Sequence, residues 1–381
     1  MPTLVQKYGG SSLADTEKLK YVARRIVDRK RAGVDVVVVV SAMGDTTDRL
    51  LAMAREVAKD PSRRELDMLL TVGERITMAL LSMMIHELGQ EVISLTGSQC
   101  GILTSDSHSR ARIMEVRPFR VQDELAKGRI VIVAGYQGTS YKREITTLGR
   151  GGSDLTAVAL AAALNAEACE IYSDVDGVLT GDPRIVPSAT QIETLSYDEM
   201  LALSKGGARV LHADAVEWAR RTGVALYARS TQGEGTGTMV RRDLPERPNP
   251  VVAVTGRTDL VRVSSTNAAP ISARLSDVPI AEQWSHGEHS QWILCREDTP
   301  EMDALCEELL GMGASVERET GSVMVVGHAL SDDPQASTVL RTAFEGYSNH
   351  ANVLSWTAWL PAALVDDLVG QLHAQLIEHS A

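Results

Sequence analysis

The stretch Thr146-Thr147-Leu148-Gly149-Arg150-Gly151-Gly152-Ser153-Asp154 is a polar, glycine-dense turn, and it runs straight into Leu155-Thr156-Ala157-Val158-Ala159-Leu160. Leu155, Val158, Ala159 and Ala162 recur at the spacing of one buried helical face. Ser153 or Asp154 is suited to cap the helix start. Gly149, Gly151 and Gly152 leave backbone N–H groups uncovered, and a helix start with bare N–H groups attracts anions. Arg150 adds a fork that grips a carboxylate or phosphate through two hydrogen bonds. In isolation such a turn reads first as a capped helix start with a solvated arginine. The chain around it reverses that reading.

Working outward, Ile130–Tyr136 before the turn reads as a buried strand. The unbroken valines Val36–Val40 read as a strand covered on both faces of a parallel sheet. That second strand delivers Ser41-Ala42-Met43-Gly44-Asp45-Thr46-Thr47-Asp48 at its C-terminal end, the edge where open α/β sheets bind ligands. Ser41 and Thr47 are candidate ligand contacts there, while Thr46 and Asp48 read as helix-capping residues. At the chain start, strand Leu4–Tyr8 ends in Gly9-Gly10-Ser11-Ser12. A helix capped near Asp15 follows, burying Leu19, Val22, Ala23, Ile26 and Val27 and stopping at Gly33. Lys7 beside two glycines can set an ammonium on polyphosphate. An ordinary βα turn with a surface lysine explains it equally well. The spacing is not that of a Walker A loop.

Glu65–Leu88 reads as helix interrupted at Thr71-Val72-Gly73-Glu74, with Ile76, Leu80, Leu81 and Met84 inward. Glu74 could receive an ammonium; by sequence alone it reads first as an acid complementing a helix dipole. Val92–Thr96 is a further strand. Glu170–Val178 is a strand ending in acids, and Thr180–Arg184 is a turn. Asp182 and Arg184 there suit ribose and phosphate, or simply a local ion pair. Helices near Ser196–Ser204 and Ala213–Thr222 and strand Ala225–Ala228 continue the alternation. The expected architecture is α/β, a mostly parallel sheet sandwiched by helices. Gln232–Thr238 and Pro245–Pro250 read as a boundary. Beyond it Val251–Ser265, Gln291–Cys295, Ser322–Gly327 and Val353–Trp359 read as strands. Met302–Met312, Ala336–Glu345 and Pro361–Leu376 read as helices. Together they form an α+β half of two small βαβ-type units.

At 381 residues and 44% apolar content the chain suits two or three domains, and with 4% aromatics the core is aliphatic. A net charge of −12 argues against nucleic acid, whose phosphates need clustered Lys and Arg. No uninterrupted apolar run approaches the roughly 20 residues of a membrane span. Cys100, Cys169, Cys295 and Cys306 are scattered, which suits a reduced cytoplasmic protein and offers no metal site.

Several motifs stand together in order. They are Lys7-Tyr8-Gly9-Gly10-Ser11-Ser12, Val40–Gly44 with Thr46-Thr47-Asp48, Glu65-Leu66-Asp67-Met68-Leu69-Leu70 through Gly73-Glu74, Ser94–Gly97, Gly135–Asp154, Tyr172–Val178 to Asp182-Pro183-Arg184, and Gly207-Ala208-Arg209-Val210-Leu211. The set resembles the aspartate kinase family, of the amino-acid kinase fold, over residues 1 to about 240. Residues 250–381 resemble paired ACT regulatory domains only loosely.

The resemblance implies a catalytic domain over 1–240 and a tandem, divergent ACT-like regulatory and dimerisation region over 250–381. It implies transfer of the γ-phosphoryl of ATP, with Mg²⁺, to the side-chain carboxylate of L-aspartate. Lys7 and Asp154 become catalytic, with Lys7, Gly9, Gly10 and Ser11 on the transferring phosphoryl. Thr47, Glu74, Arg150, Gly151, Gly152 and Ser153 hold aspartate, with Glu74 on its ammonium. Ser41, Ser173, Asp174, Leu179, Asp182, Arg184 and Arg209 fall on the nucleotide side.

There are departures from the family pattern. Arg209 replaces the usual lysine, and the start reads KYGGSS rather than KFGGTS. The first C-terminal unit lacks the glycine-proline-glycine turn and full first helix of an effector pocket. Trp284, His286 and His289 lie in that altered loop. A homodimer or higher homo-oligomer, with feedback by lysine or threonine weakened or absent, follows as the expectation. The competing readings are a related phosphotransferase acting on another amino acid or a small acid, a regulatory pseudokinase, and a dinucleotide-binding enzyme. The last is disfavoured because the first βα turn lacks GxGxxG.

Overall fold

Five consecutive valines, Val36–Val40, are fully buried in the second strand of the principal sheet. Each contributes roughly 1.5–3 kcal/mol of hydrophobic stabilisation. The computed structural model describes residues 2–233, 235–243, 249–299 and 301–378. Glu234, most of the Pro245–Pro250 boundary and the side chain of His286 lie outside the described residues. The chain divides into two compact units. The first comprises Met1–Val178, Gln191–Met200 and Arg209–Leu244; the second comprises Leu179–Thr190, Leu201–Ala208 and Pro245–Ala381. Two short segments, 179–190 and 201–208, therefore go with the later part of the chain.

In chain order the elements run β1 (Thr3–Tyr8), α1 (Thr16–Arg31), β2 (Asp35–Val40), α2 (Thr46–Val57), α3 (Arg63–Leu70), α4 (Val72–Glu87), β3 (Val92–Leu95), β4 (Ile102–Thr104), β5 (Ile113–Val116), α5 (Phe119–Ala126), β6 (Ile130–Ala134), β7 (Gln137–Ser140), β8 (Ile145–Thr147) and α6 (Gly152–Ala163). They continue with β9 (Ala168–Ser173), β10 (Val178–Leu179), β11 (Gln191–Ile192), β12 (Thr194–Ser196), α7 (Tyr197–Gly206), α8 (Ala213–Thr222), β13 (Leu226–Ser230) and β14 (Thr238–Arg241).

The principal sheet of the first unit has strand order β12-β14-β13-β9-β1-β2-β6-β3. Every neighbouring pair is parallel except β13 with β14. This is the expected α/β architecture. Helix α1 starts at Asp15, whose Oδ1 accepts from the Lys18 N–H at 2.8 Å, and it buries Leu19, Val22, Ala23, Ile26 and Val27. Those side chains share one core with Val36, Val38, Val40, Leu81, Ile85, Ile130 and Ile132.

The structure corrects the sequence reading at three places. Helix α6 begins at Gly152, with Gly151 as its N-cap at φ 71°, and neither Ser153 nor Asp154 caps it. Nor does α6 bury one face alone, since Gly152–Asp154 and Thr156–Ala161 are all buried. Alanine and small polar residues let this helix be covered nearly all round. On α4 the expected inward face is narrower: Leu81 and Ile85 are buried, but Ile76 and Leu80 are exposed.

A second sheet, β5-β4-β7-β8, has strands of three or four residues and was not foreseen. By length and hydropathy the stretch Arg63–Glu87 could cross a membrane. It is split at Thr71, Leu81 and Ile85 pack into the core, and its Asp67 and Glu74 are buried.

The second unit adds β15 (Val251–Ser265), α9 (Ala268–Arg274), β16 (Ile280–His286), β17 (His289–Cys295), α10 (Met302–Gly311), β18 (Ser315–Gly327), α11 (Pro334–Ala343), β19 (Ser348–Ala351), β20 (Ser355–Pro361) and α12 (Val365–Leu376). Its six strands, β16-β17-β15-β18-β20-β19, pair antiparallel throughout. The long strands β15 and β18 shift register between Arg257 and Arg262. Val254, Val323 and Val325 join one core, with Leu340 and Val369; Val261 and Val263 join another, with Leu294 and Leu305. Met312, the last residue of the helix read from the sequence, lies just past the end of α10 and is exposed.

Candidate active site

Parallel strands deliver their C-terminal ends to one edge, and the site of the first unit is built there. Lys7 near the end of β1 lies in register between Val39 and Ile171. Its Nζ meets Asp154 Oδ1 at 2.6 Å, and both side chains are nearly buried, 13% and 11% exposed. At that burial the pair is weakly screened by water and salt. Asp154 stands in the first turn of α6, four residues beyond Arg150, so the first βα turn and the mid-chain glycine bend meet through this ion pair.

The turn after Lys7 is tight. The Gly9 N–H donates to Tyr172 O at 3.2 Å, and a side-chain carbon on Gly10 would stand 2.7 Å from Ala42 O. Ala42 in turn donates its N–H to Glu74 Oε1 at 3.2 Å. Glu74 is buried at the start of α4, and its Oε2 has no hydrogen-bond partner. Burial pushes the Glu74 carboxyl up to about 7, against the smaller opposing pull of its own backbone N–H and that of Ala42. A buried, half-satisfied carboxylate is costly unless a cation completes it. The ring closes through Gly135 at the end of β6, where an added carbon would stand 2.8 Å from Ser153 Oγ.

Of the residues singled out by sequence, the structure gathers Lys7, Gly9, Gly10, Ser41, Glu74, Ser153 and Asp154 around this edge. Ser41 donates its N–H to Tyr8 O at 3.1 Å. Ser11 is exposed in the short 3-10 turn that follows Gly10. Thr47 lies half-buried in the first turn of α2. Arg150 is exposed beside Gly151, where an added carbon would stand 2.1 Å from the His212 ring. Gly152 is buried against Leu148 and Tyr136. Ser173 is half-buried and Asp174 exposed just beyond β9, and Arg209 is exposed before α8. Leu179, Asp182 and Arg184 belong to the second unit. Asp182 Oδ2 accepts from Arg184 Nη2 at 2.5 Å in an exposed turn, the local ion pair weighed above as the alternative.

Sequence reasoning passed over three residues. Tyr136 adopts φ 69°, a left-handed conformation rare for a non-glycine residue, and its N–H donates to Thr156 Oγ1 at 3.2 Å. Asp67 was quoted within a motif without a role, yet it is fully buried. A lone carboxylate in the apolar run Leu66–Leu70 was the signal. His212 covers Gly151, and no local pattern announces it. Among the described residues, no group of three or more His, Cys, Asp and Glu could hold a metal ion.

The fold and this edge define the class: the chain belongs to the amino acid kinase family, whose model matches residues 2–229. Within that family its relatives are aspartokinases. The Mycolicibacterium smegmatis aspartokinase is 51% identical over 280 residues, 73% of this chain and 66% of the relative. The Corynebacterium glutamicum aspartokinase is 52% identical over the same extent. The one from Geobacillus stearothermophilus is 42% identical over 88% of this chain and 86% of its own. The chain thus spans about two thirds of the length of the first two. Among solved structures, Escherichia coli aspartokinase III in complex with aspartate and ADP superposes with a TM-score of 0.85. It is 23% identical and covers 98% of this chain and 99% of its own.

Proposed function

We propose that this protein transfers the γ-phosphoryl group of ATP to the side-chain carboxylate of L-aspartate, yielding 4-phospho-L-aspartate and ADP. This is the first step of the aspartate-family amino-acid pathway, or of a dedicated pathway drawing on it. The observation that carries the reading is Glu74, a buried carboxylate with one oxygen unsatisfied at the ligand-binding edge of the sheet. An amino-acid ammonium supplies the missing cation. The aspartokinase relatives, and the aspartate and ADP held by the E. coli enzyme, point to the same substrates.

In this reading Glu74 and Thr47 hold the ammonium end, and Arg150 clamps a carboxylate beside Gly151, Gly152 and Ser153. Lys7 faces the negative charge on the transferring phosphoryl, helped by the N–H groups of Gly10 and Ser11, whereas the Gly9 N–H, expected to help, is taken up by Tyr172 O. Asp154 holds the Lys7 ammonium in place. Ser41, Ser173, Asp174 and Arg209 serve the nucleotide; a nucleotide role for Leu179, Asp182 and Arg184 rests on the motif alone. Such a site accelerates by positioning and charge neutralisation. Bound with the nucleotide, Mg²⁺ would supply charge neutralisation at the phosphates. The chain's own contribution is the lysine and the N–H groups.

The second unit, with its six-stranded antiparallel sheet, is proposed as an ACT-like dimerisation module of a cytoplasmic homodimer or higher homo-oligomer, with feedback weakened or absent. A hydroxamate assay with aspartate and Mg-ATP, repeated with lysine, threonine and both, tests reaction and regulation together. No acyl phosphate from aspartate sinks the reaction; strong inhibition at millimolar lysine or threonine sinks the weakened feedback.

A further inference from the structure

Asp67 on α3 lies outside the ring of residues just described, and it is fully buried. Its two oxygens collect four contacts. The Ser109 N–H donates to both, at 3.0 and 3.1 Å. The Thr147 hydroxyl donates at 2.6 Å, and His108 Nδ1 lies at 2.7 Å. These partners stand 41, 42 and 80 residues away in the chain and come from two different segments.

Two of the partners lead back to the glycine bend. Thr147 ends β8, three residues before Arg150. Its hydroxyl, which donates to Asp67, also lies against the Tyr136 hydroxyl. The Tyr136 ring lies 3.0 Å from where a side-chain carbon on Gly152 would stand. Ser109 O and Arg110 back Gly149 at 3.4 and 3.6 Å by the same measure. On the other side, α3 runs into α4 and Glu74 at Thr71. The Thr71 carbonyl accepts from the buried Gln137 side chain at 3.1 Å. The carboxylates of Glu74 and Asp67 both act on Tyr136, whose hydroxyl is pushed up chiefly by burial.

We propose that Asp67 is a positioning residue for substrate length. It pins the helix pair carrying Glu74 to the strand end carrying Arg150, and so fixes the span between ammonium receptor and carboxylate clamp. This rests on the reading of aspartate as substrate. Asp67→Asn keeps the shape but sets an NH2 group against N–H and O–H donors. Thr147→Val removes the hydroxyl alone.

The test is steady-state kinetics of wild type, Asp67→Asn and Thr147→Val with aspartate, with glutamate (one methylene longer) and with ATP. For Asp67→Asn the aspartate KM rises about tenfold or more, because a misplaced substrate is costly. The ATP KM stays within about twofold, and discrimination against glutamate narrows. Thr147→Val moves the same way by less, and it carries the test if Asp67→Asn does not fold. A folded variant with unchanged aspartate KM, or with both KM values rising in step, overturns the positioning role. A wild type that never phosphorylates aspartate instead sinks the reaction reading on which this one rests.

Discussion

Lys7 and Glu74 sit at the same sheet edge and are in opposite electrostatic states. Lys7 has its counter-ion, Asp154, at 2.6 Å. Glu74 has only backbone N–H groups, its own and that of Ala42, and nothing on its second oxygen. The first pair is neutral in itself and holds an ammonium ready. The second is a stored cost, released when a cation arrives. The difference separates two tasks, facing charge that develops during transfer and recognising charge the substrate brings.

Lys7→Ala is the strongest break in that comparison. Removing a group aimed at developing charge costs about 100- to 1000-fold in kcat. Steady-state rates with saturating aspartate and ATP check it, and aspartate binding should survive. Glu74→Gln acts on the other side: losing a buried partner for the ammonium costs about 2–4 kcal/mol, seen in the aspartate KM with kcat less affected.

The same substitution has an opposite effect on stability. A carboxyl raised from 4.5 to about 7 by folding opposes folding once pH exceeds the unfolded value. The penalty is absent near pH 4, grows between 4.5 and 7, and is constant above, at roughly 3 kcal/mol. Glu74→Gln should therefore match wild type in urea unfolding at pH 4 and exceed it at pH 8. Arg150→Lys keeps charge but loses the fork, and about a tenfold rise in aspartate KM is expected. An unchanged KM removes the clamp. The last effect sharpens the Lys7 side and falls on stability rather than on substrate binding. Gly10→Ala drives a carbon to 2.7 Å from the Ala42 carbonyl, costing about 1–3 kcal/mol in thermal or urea unfolding.

The Lys7 side was more legible than the Glu74 side for a physical reason. Valine runs, the Asp15 cap and the glycine turn are local signals, and the structure keeps them in place. Glu74 read as an ordinary helix-dipole acid because its burial depends on Ala42, 32 residues away. The Asp67 cluster is knit over 80 residues, and no local pattern carries that information. Helix α6 misled in its cap because Gly151 takes φ 71° under the His212 ring, where a Ser or Asp N-cap was expected. The small β5-β4-β7-β8 sheet was invisible because strands of three or four residues are too short to show periodicity.

The most direct test is calorimetric titration of the protein with aspartate at pH 6 and pH 8.5, in buffers of different ionisation enthalpy. Glu74 is largely protonated at the lower pH, and binding an ammonium there should release about one proton. At the higher pH the release should vanish, and Glu74→Gln should release none at either. Equal proton release at both pH values, or a release that persists in Glu74→Gln, contradicts the assignment of Glu74 as receptor for the substrate ammonium.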